Sequence, residues 1–361
     1  MDRVKVLIAM SGGVDSSVAA HLLKEDGYDC VGAMMKLYAD DVVNTGEITP
    51  TNKGCCSIED AEDARAVATA LGIPFFVFNF SDSFGREVMD RFVSAYHNGR
   101  TPNPCIDCNR FMKFEKFLVR AAELDVEYIA TGHYAKIYKD ENGRFLLAKG
   151  IDNTKDQTYV LYAMTQQQLS RTLFPLGELN KETVRDIAAK LDMVTAAKRD
   201  SQDICFAPDG DYAGFIERYT GQADNPGDFI SPNGEVIGRH KGIIHYTIGQ
   251  RKGLGLYGPA PQYVSALDPK ANTVTVGPAE HLFAKALKAR DINLIPCDKL
   301  GEPVNIQAKI RYSHPAQPAR VWQTAPDEIH VEFDKPQRAI TPGQAVVLYD
   351  GDIVVGGGTI V

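Results

Sequence analysis

One stretch near the start of the chain reads Ala9-Met10-Ser11-Gly12-Gly13-Val14-Asp15-Ser16-Ser17. The apolar run that precedes it, at residues 4–10, is typical of a buried parallel strand. Residues 17–24 then place apolar side chains at helical spacing. The stretch is therefore predicted to join a strand end to a helix start, where backbone N–H groups lack intrahelical partners and the helix dipole favours an anion.

The residue types in this loop predict a site for pyrophosphate. Its two glycines allow close backbone approach, its serines offer hydroxyl donors, and Asp15 is suited to orient a metal or a loop amide. The common phosphate-binding loop needs a lysine after its last glycine, and the dinucleotide fingerprint G-x-G-x-x-G is absent. The pattern S-G-G-x-D-S resembles the PP-loop of the N-type ATP pyrophosphatases. That resemblance implies cleavage of ATP to AMP and pyrophosphate, with adenylation of a carbonyl oxygen of the substrate.

Composition places the chain among ordinary globular proteins. It has 361 residues, 44% hydrophobic and 24% charged, which predicts more than one domain. The net charge of −8 lowers the expectation of nonspecific nucleic-acid binding, although a local basic groove stays open. No signal-peptide pattern and no apolar run of membrane-spanning length is present, so we expect a cytoplasmic protein without a membrane partner. Its seven cysteines are then better interpreted as reactive or metal-binding thiols than as a disulfide framework.

Strand and helix patterns alternate through the first part of the chain. This alternation predicts an α/β fold with a doubly wound parallel sheet (PP-loop, Rossmann-like), with ligands at the carboxyl ends of the strands. Gly132, His133 and Tyr134 follow a predicted strand and belong on that rim. Residues 38–54 are polar, lack periodicity and predict a mobile insertion. Residues 169–193 carry two helical stretches and predict a small helical module.

From about residue 226, short alternating runs separated by turns predict a C-terminal all-β barrel domain. We therefore divide the chain into an ATP-binding catalytic domain at residues 1–167, a central helical or linker domain at 168–225 that carries a cysteine, and β-barrel domains at 226–361.

A second signal is the segment at residues 100–109, Arg-Thr-Pro-Asn-Pro-Cys-Ile-Asp-Cys-Asn. Its prolines favour extended backbone. Asn109 is predicted to be the N-cap of a helix that begins near Phe111, which puts Cys108 at a helix start, where a thiol ionises more readily. Cys108 is therefore a nucleophile candidate. A C-x-x-C metal pair with Cys105, or a buried structural pair, stays open.

A third signal is the segment at residues 198–206, Lys-Arg-Asp-Ser-Gln-Asp-Ile-Cys-Phe. Cys205 follows a polar run with two cations, which favours its thiolate. Considered alone, it could also be a half-buried, unreactive cysteine.

Taken in order, these motifs resemble the tRNA-specific 2-thiouridylases. The resemblance also rests on Ala-Thr-Gly-His-Tyr-Ala at 130–135, Lys-Asp-Gln-Thr-Tyr-Val-Leu at 155–161 and Tyr-Thr-Ile-Gly-Gln-Arg-Lys-Gly-Leu-Gly at 246–255. It implies ATP-dependent 2-thiolation of the wobble uridine, position 34, of tRNA. The uridine C2 oxygen is adenylated and sulfur comes from a protein persulfide, itself loaded by a sulfur-donor protein. Whether the persulfide attacks directly or releases hydrosulfide stays open.

The resemblance also assigns residues. Cys108 would be the nucleophile and Cys205 the persulfide carrier, with Mg²⁺ accompanying ATP and no resident metal. ATP would contact Ala9, Met10, Ser11, Gly12, Gly13, Val14, Asp15, Ser16, Met35 and Gly132. The tRNA would contact Asn103, Pro104, Cys105, His133, Lys155, Asp156, Gln157, Arg311, Tyr312 and Gln344. Some members of the family carry Asp where this chain has Cys105, so the general base stays open.

Two other functions remain as alternatives. A PP-loop amidating ligase would adenylate its substrate in the same way but would not need Cys108 or Cys205. A noncatalytic tRNA-binding or iron–sulfur protein could hold a cluster on Cys55 and Cys56 together with the thiols at 105 and 108. Thiol substitutions separate the first alternative from thiolation, and AMP formation separates the second.

Overall fold

The computed structural model describes residues 3–38, 58–198, 204–256 and 260–361. The insertion predicted at residues 38–54 lies, except for Tyr38, outside the described residues. The chain forms two compact units. The first unit contains Met1–Val88, Cys105–Gly210 and Asp352–Val354, and the second contains Met89–Pro104, Asp211–Gly351 and Val355–Val361.

A five-stranded parallel sheet forms the centre of the first unit, in the order β3-β2-β1-β4-β7. Its strands are β1 (Lys5–Ala9), β2 (Asp29–Lys36), β3 (Phe75–Asn79), β4 (Tyr128–Ala130) and β7 (Thr172–Leu173). The chain builds outward from β1 to β3 on one side and then returns to add β4 on the other. The carboxyl ends of β1 and β4 therefore form a topological switch point, where open α/β sheets bind ligands.

Helices cover both faces of this sheet, which confirms the doubly wound fold. On one face, Val6 and Ile8 of β1 pack in a core with α1 (Val14–Glu25) and α2 (Ile58–Leu71). On the other, Phe78 of β3 meets Phe117 edge to face, with ring centroids 6.3 Å apart. Successive strand residues point to opposite faces, so buried strands of this kind show the continuous apolar runs seen in the sequence.

The remaining helices of the described chain are α3 (Ser81–Phe84), α4 (Asp90–His97), α5 (Pro104–Asp107), α6 (Phe117–Glu123), α7 (Gln166–Ser170), α8 (Lys181–Lys190) and α9 (Tyr212–Thr220). Segments Gly85–Met89 and Cys108–Lys116 are π-helical, and Thr158–Val160, Ile243–His245 and Ala279–Leu282 are 3₁₀ turns. No helix in the described residues has both the length and the apolar character that crossing a membrane demands.

The longer of the helical stretches predicted at residues 169–193 is α8, which packs against α1 in a core separate from that around β1. Asn180 caps α8 by accepting a hydrogen bond from the Thr183 amide at 2.8 Å. Val184 and Ala188 of α8 then pack against Val14 of α1. The two-residue strand β7, which the sequence did not predict, extends the parallel sheet beside β4.

An antiparallel hairpin of β5 (Ala135–Lys139) and β6 (Phe145–Lys149) follows the sheet. Asp140 accepts hydrogen bonds from the Asn142 and Arg144 amides, and Gly143 has a φ of +82°. The turn predicted at residues 141–143 is therefore confirmed.

The second unit is mainly β-structure, as predicted. Strands β8 (Gly227–Ile230), β9 (Val236–His240), β10 (Tyr263–Asp268) and β11 (Thr273–Gly277) form a sheet in the order β10-β11-β8-β9. Strands β12 (Phe283–Leu294), β13 (Val304–Lys309), β14 (Gln317–Ala325), β15 (Glu328–Arg338), β16 (Ala345–Asp350) and β17 (Ile353–Ile360) follow one another in the order β12-β15-β14-β13-β16-β17. Pairing of β12 with β17 closes these six strands into a barrel.

Candidate active site

The predicted nucleotide loop lies between the end of β1 and the start of α1, at the switch point. Gly12 has a φ of +71°, and a Cβ atom there would lie 2.3 Å from the Asp60 carbonyl oxygen. Gly13 takes the N-cap position of α1 with no side-chain cap. The loop therefore brings backbone close to the first turn of α2 and leaves helix N–H groups to bind an anion, as pyrophosphate binding requires.

The serines of the loop have two distinct roles. Ser16 Oγ and Ser17 Oγ, both buried, donate to the Gly13 carbonyl at 3.1 and 2.9 Å. The Ser11 amide donates to Ser16 Oγ at 3.2 Å, whereas the Ser11 side chain is exposed. Ser16 and Ser17 thus fix the shape of the loop, and Ser11 keeps an exposed hydroxyl beside it.

Asp15 accepts hydrogen bonds from two side chains that come from other elements. Tyr134 Oη donates to Oδ1 at 2.7 Å, and Lys181 Nζ donates to Oδ1 and Oδ2 at 2.7 and 2.8 Å. The Lys181 side chain is 11% exposed. A charge-assisted pair in this setting holds the carboxylate firmly at the loop.

Lys198 holds the loop from the other side. Its ammonium group donates to the Gly12 carbonyl at 3.0 Å and contacts Asp60 at 2.8 Å and Asp63 at 2.5 Å. Burial opposes the charge of Lys198, yet the hydrogen bonds and charges of Asp60 and Asp63 raise its pKa above the ordinary value. The sequence placed this cation near Cys205, and the structure shows that it links the Gly12 carbonyl of the nucleotide loop to Asp60 and Asp63 of α2.

Met35 and Gly132 lie on the carboxyl rim of the sheet. Ala9 pairs with Ala33, so Met35 extends past the end of β1, opposite Phe78. A Cβ atom on Gly132 would lie 2.8 Å from the backbone of Asp15 and Ser16. Gly132 therefore packs directly on the helix start that follows the loop.

His133 is buried on the same rim. Its Nδ1 lies 2.7 Å from Thr131 Oγ1, and its Nε2 lies 3.5 Å from Lys113 Nζ. Burial, reinforced by the Lys113 charge, lowers the pKa of His133 well below 6.5. Because an ammonium group only donates, the neutral ring accepts at Nε2 and carries its proton at Nδ1, toward Thr131.

The predicted N-cap role of Asn109 is wrong. The backbone is already helical from Pro104 and continues through Lys116, because proline suits the first position of a helix. Asn109 lies inside this run, buried, and its amide donates to the Val160 carbonyl at 3.0 Å. Cys108 is therefore not at the helix start. It opens a π-helical segment, a conformation that is common at functional sites.

Cys205 is anchored through its neighbours. Tyr38 Oη donates to the Cys205 carbonyl at 3.0 Å, and the buried Phe206 ring meets Phe84 edge to face at 5.9 Å. Phe84 ends α3, and α3 also packs against the π-helical segment that Cys108 opens. Neither cysteine forms a disulfide with another described residue, both are partly exposed, and their segments contact the same short helix.

The other described cysteines differ in exposure. Cys105 is exposed, Cys297 of the second unit is half-buried, and Cys30 is buried with its pKa raised to about 11, chiefly by burial and then by the Asp29 charge. The proposed cluster ligands Cys55 and Cys56 lie outside the described residues. Among the described residues, no group of three or more His, Cys, Asp or Glu side chains is placed to hold a metal ion.

The segment predicted to contact tRNA at residues 155–157 belongs to the first unit. The Gln157 side chain accepts a hydrogen bond from the Tyr134 amide at 2.9 Å, and the Gln157 amide donates to the Tyr134 carbonyl at 3.3 Å. Asp156 accepts two hydrogen bonds from Thr158, and the Lys155 amide donates to the Asp152 carbonyl at 3.0 Å. This segment is therefore hydrogen-bonded directly to Tyr134, the rim residue whose hydroxyl also contacts Asp15.

Five of the predicted tRNA contacts, Asn103, Pro104, Arg311, Tyr312 and Gln344, belong to the second unit. Gln344 Nε2 donates to the Thr101 carbonyl at 2.7 Å, so it lies beside the segment that leads to Asn103. Arg311 donates to the Arg338 carbonyl at 2.9 Å. Tyr312 is 45% exposed, and the Lys309 ammonium lies 5.5 Å from the centre of its ring.

Family comparisons cover the chain in three parts. A family model described as tRNA methyl transferase HUP domain matches residues 4–209, which include the nucleotide loop and both candidate cysteines. A tRNA methyl transferase PRC-barrel domain matches residues 213–278, and an aminomethyltransferase beta-barrel domain matches residues 284–360. These ranges agree with the parallel sheet, the four-stranded sheet and the closed barrel.

Curated relatives match over the whole chain. The tRNA-specific 2-thiouridylase MnmA of Lachnoclostridium phytofermentans is 52% identical over 357 residues, with 99% of each chain covered. The protein of the same name from Clostridioides difficile is 50% identical, covering 99% of this chain and 98% of that protein. The one from Acetivibrio thermocellus is 50% identical over 361 residues, with full coverage of both. This chain therefore belongs to the tRNA-specific 2-thiouridylase family.

Proposed function

We propose that this protein is an ATP-dependent sulfurtransferase that converts the wobble uridine, position 34, of tRNA to 2-thiouridine. One observation carries the proposal. The first unit combines a loop suited to bind an anion, at its switch point, with two partly exposed cysteines, Cys108 and Cys205, whose segments contact one short helix. The full-length relatives named tRNA-specific 2-thiouridylase support the same substrate.

ATP fits the loop as a substrate. Gly12 keeps the backbone open where a Cβ atom would collide with Asp60, and the N-terminus of α1 offers unpaired N–H groups to the phosphates. The uridine C2 oxygen attacks the α-phosphorus, so pyrophosphate leaves and the C2 carbon becomes activated for substitution. Mg²⁺ would neutralise the charge of the triphosphate.

Sulfur transfer then uses both thiols. Cys205, loaded as a persulfide by a sulfur-donor protein, directs its terminal sulfur to C2, and AMP leaves with the former uridine oxygen. Cys108 attacks the inner sulfur, which releases the 2-thiocarbonyl and leaves a Cys108–Cys205 disulfide. In the alternative order, Cys108 first frees hydrosulfide, which attacks C2. In both orders the sulfane sulfur gains two electrons from the thiols, and an external thiol reductant regenerates the enzyme.

The residues at 103–105, 155–157, His133, Arg311, Tyr312 and Gln344 are proposed to hold the tRNA. A wobble base lies in a single-stranded loop, so presenting it to an enzyme needs little unpairing. The neutral His133 suits the border of a base-binding site, because a neutral ring can stack on a base without burying a charge.

Thiolation is tested with MgATP, a persulfide donor and unmodified tRNA, followed by mass spectrometry of the nucleosides. We expect 2-thiouridine and one AMP per sulfur inserted. C108S and C205S should form no 2-thiouridine, whereas C297S, which alters a half-buried cysteine of the second unit, should match the parent chain.

Two results would overturn the assignment. AMP formation without 2-thiouridine, unchanged in C108S and C205S, would favour an amidating ligase, which needs neither thiol. Binding of tRNA without any AMP formation would favour a noncatalytic protein.

A further inference from the structure

Two hydrogen-bonded connections begin at the Asp15 carboxylate in the nucleotide loop. The first passes through the Tyr134 hydroxyl, 2.7 Å from Oδ1, and the second through the Lys181 ammonium, 2.7 and 2.8 Å from the two oxygens. Tyr134 is 2% exposed, and its ring packs in the core shared by α1 and α8. The Lys181 side chain is 11% exposed and that of Asp15 is 31% exposed, so the connections are shielded from water on their Tyr134 and Lys181 side, which strengthens them there.

Both connections end in the same short segment of chain. The backbone of Tyr134 exchanges hydrogen bonds with Gln157, through the side chain at 2.9 Å and the main chain at 3.3 Å. The Lys181 amide donates to Asp152 Oδ2 at 2.9 Å, and the Asp152 carbonyl accepts from the Lys155 amide at 3.0 Å. Residues 152–157 are thus held at both ends by side chains or backbone of residues that contact Asp15.

We propose that Tyr134 and Lys181 are positioning residues that couple the nucleotide loop to the tRNA-contact segment at residues 155–157. This inference rests on the proposed function, because it takes ATP and tRNA as the two ligands. Neither residue needs to touch a reacting atom. Their role is to make the arrangement of one site depend on the occupancy of the other.

Charge supplies the physical reason. Phosphates bound at the start of α1 place negative charge beside Asp15, so the Lys181 ammonium is attracted to two anionic groups rather than one. The strengths of the hydrogen bonds that Tyr134 and Lys181 donate to the Asp15 carboxylate then change. Tyr134 transmits that change to Gln157, and Lys181 transmits it through Asp152 to the other end of residues 152–157. A ligand that alters these hydrogen bonds favours one arrangement of the segment over another, which is the requirement for coupling. By linkage, tRNA must affect ATP affinity by the same factor.

The test is a thermodynamic cycle with the full chain. The dissociation constant of unmodified tRNA is measured with and without a nonhydrolysable ATP analogue, and that of the analogue with and without tRNA. In the parent chain we expect each ligand to tighten the other by the same factor, at least about fivefold. Y134F removes only the hydroxyl and keeps the buried ring. In Y134F each ligand should change the dissociation constant of the other by less than about twofold. The affinity for either ligand alone should change little.

Matched variants separate coupling from stability. Y246F alters another buried tyrosine, in the core of the second unit, and should leave the coupling factor unchanged. K181Q should reduce the factor as Y134F does, and K181R should restore part of it, because an arginine still donates to a carboxylate.

Three outcomes would overturn the proposal. One is an equal coupling factor in Y134F and the parent chain, and another is independent binding of the two ligands to the parent chain. The third is an equal loss of coupling in Y246F. Absence of tRNA binding, by contrast, would overturn the proposed function together with this inference.

Discussion

Replacing Gly12 with alanine tests the nucleotide loop by geometry alone. At a φ of +71° an alanine is strained by about 1–2 kcal/mol. Its Cβ atom would also lie 2.3 Å from the Asp60 carbonyl, whereas ordinary contact begins near 3.4 Å, so the loop and α2 must separate by about 1 Å. We expect the free energy of unfolding to fall by more than about 2 kcal/mol. A displacement of that size should weaken ATP binding and slow the formation of AMP from bound ATP by about 100-fold.

Two neighbouring substitutions serve as controls. G27A has the same left-handed strain, at φ +86°, with no atom within 4 Å of the new Cβ, so it isolates the backbone term. G13A has ordinary backbone angles, and its Cβ would meet only Ser11 Oγ at 3.4 Å. Urea unfolding followed by circular dichroism gives the stabilities, and isothermal titration calorimetry gives the affinity for MgATP. If G12A were as stable as G27A and bound ATP normally, the steric argument for the loop would be refuted.

Two further predictions concern charges around the site. K198M leaves Asp60 and Asp63 uncompensated beside the loop and should weaken ATP binding about two- to fivefold, the effect of one partly exposed charge pair. Adding D60N to K198M should restore part of the affinity, and an unchanged affinity for ATP in K198M would contradict this role of Lys198. His133 stays neutral in the fold because its pKa is well below 6.5, while the unfolded chain protonates it as the pH falls below about 6.5. The stability that neutral His133 contributes is thus complete above that pH and is lost progressively below it. In H133Q the free energy of unfolding in urea should therefore fall less steeply between about pH 7.5 and about pH 5.5 than in the parent chain. Equal slopes of unfolding free energy against pH in H133Q and the parent chain would refute this.

Much of the fold follows from periodicity in the sequence. Strands β1 and β2 appear as continuous apolar runs because both faces are largely buried, and the hairpin at residues 141–143 follows from its Asn-Gly turn. Strand β12 escaped prediction because charged and exposed residues, among them Lys285 and Lys288, interrupt its alternation, and only Leu287 and Ala289 are buried in its central part. Strand β7 escaped because two residues carry no period at all.

The site was partly predictable for a related reason. The nucleotide loop is a local motif, so its residues and conformation follow from one short stretch. The sequence placed Tyr134 on the rim and Lys198 in a motif, but Tyr134, Lys181 and Lys198 act through contacts with residues more than a hundred positions away, which no local pattern predicts. Asn109 was misassigned because an asparagine after an extended segment resembles an N-cap, whereas Pro104 had already begun the helix.

The fate of one oxygen atom tests the central claim most directly. Transfer RNA carrying ¹⁸O at O2 of the wobble uridine is incubated with the enzyme, MgATP and a persulfide donor, and the released AMP is examined by mass spectrometry. If ATP activates the C2 oxygen and sulfur replaces it, each 2-thiouridine formed must release one AMP that carries the label. Thiouridine formed together with unlabelled AMP would contradict this mechanism.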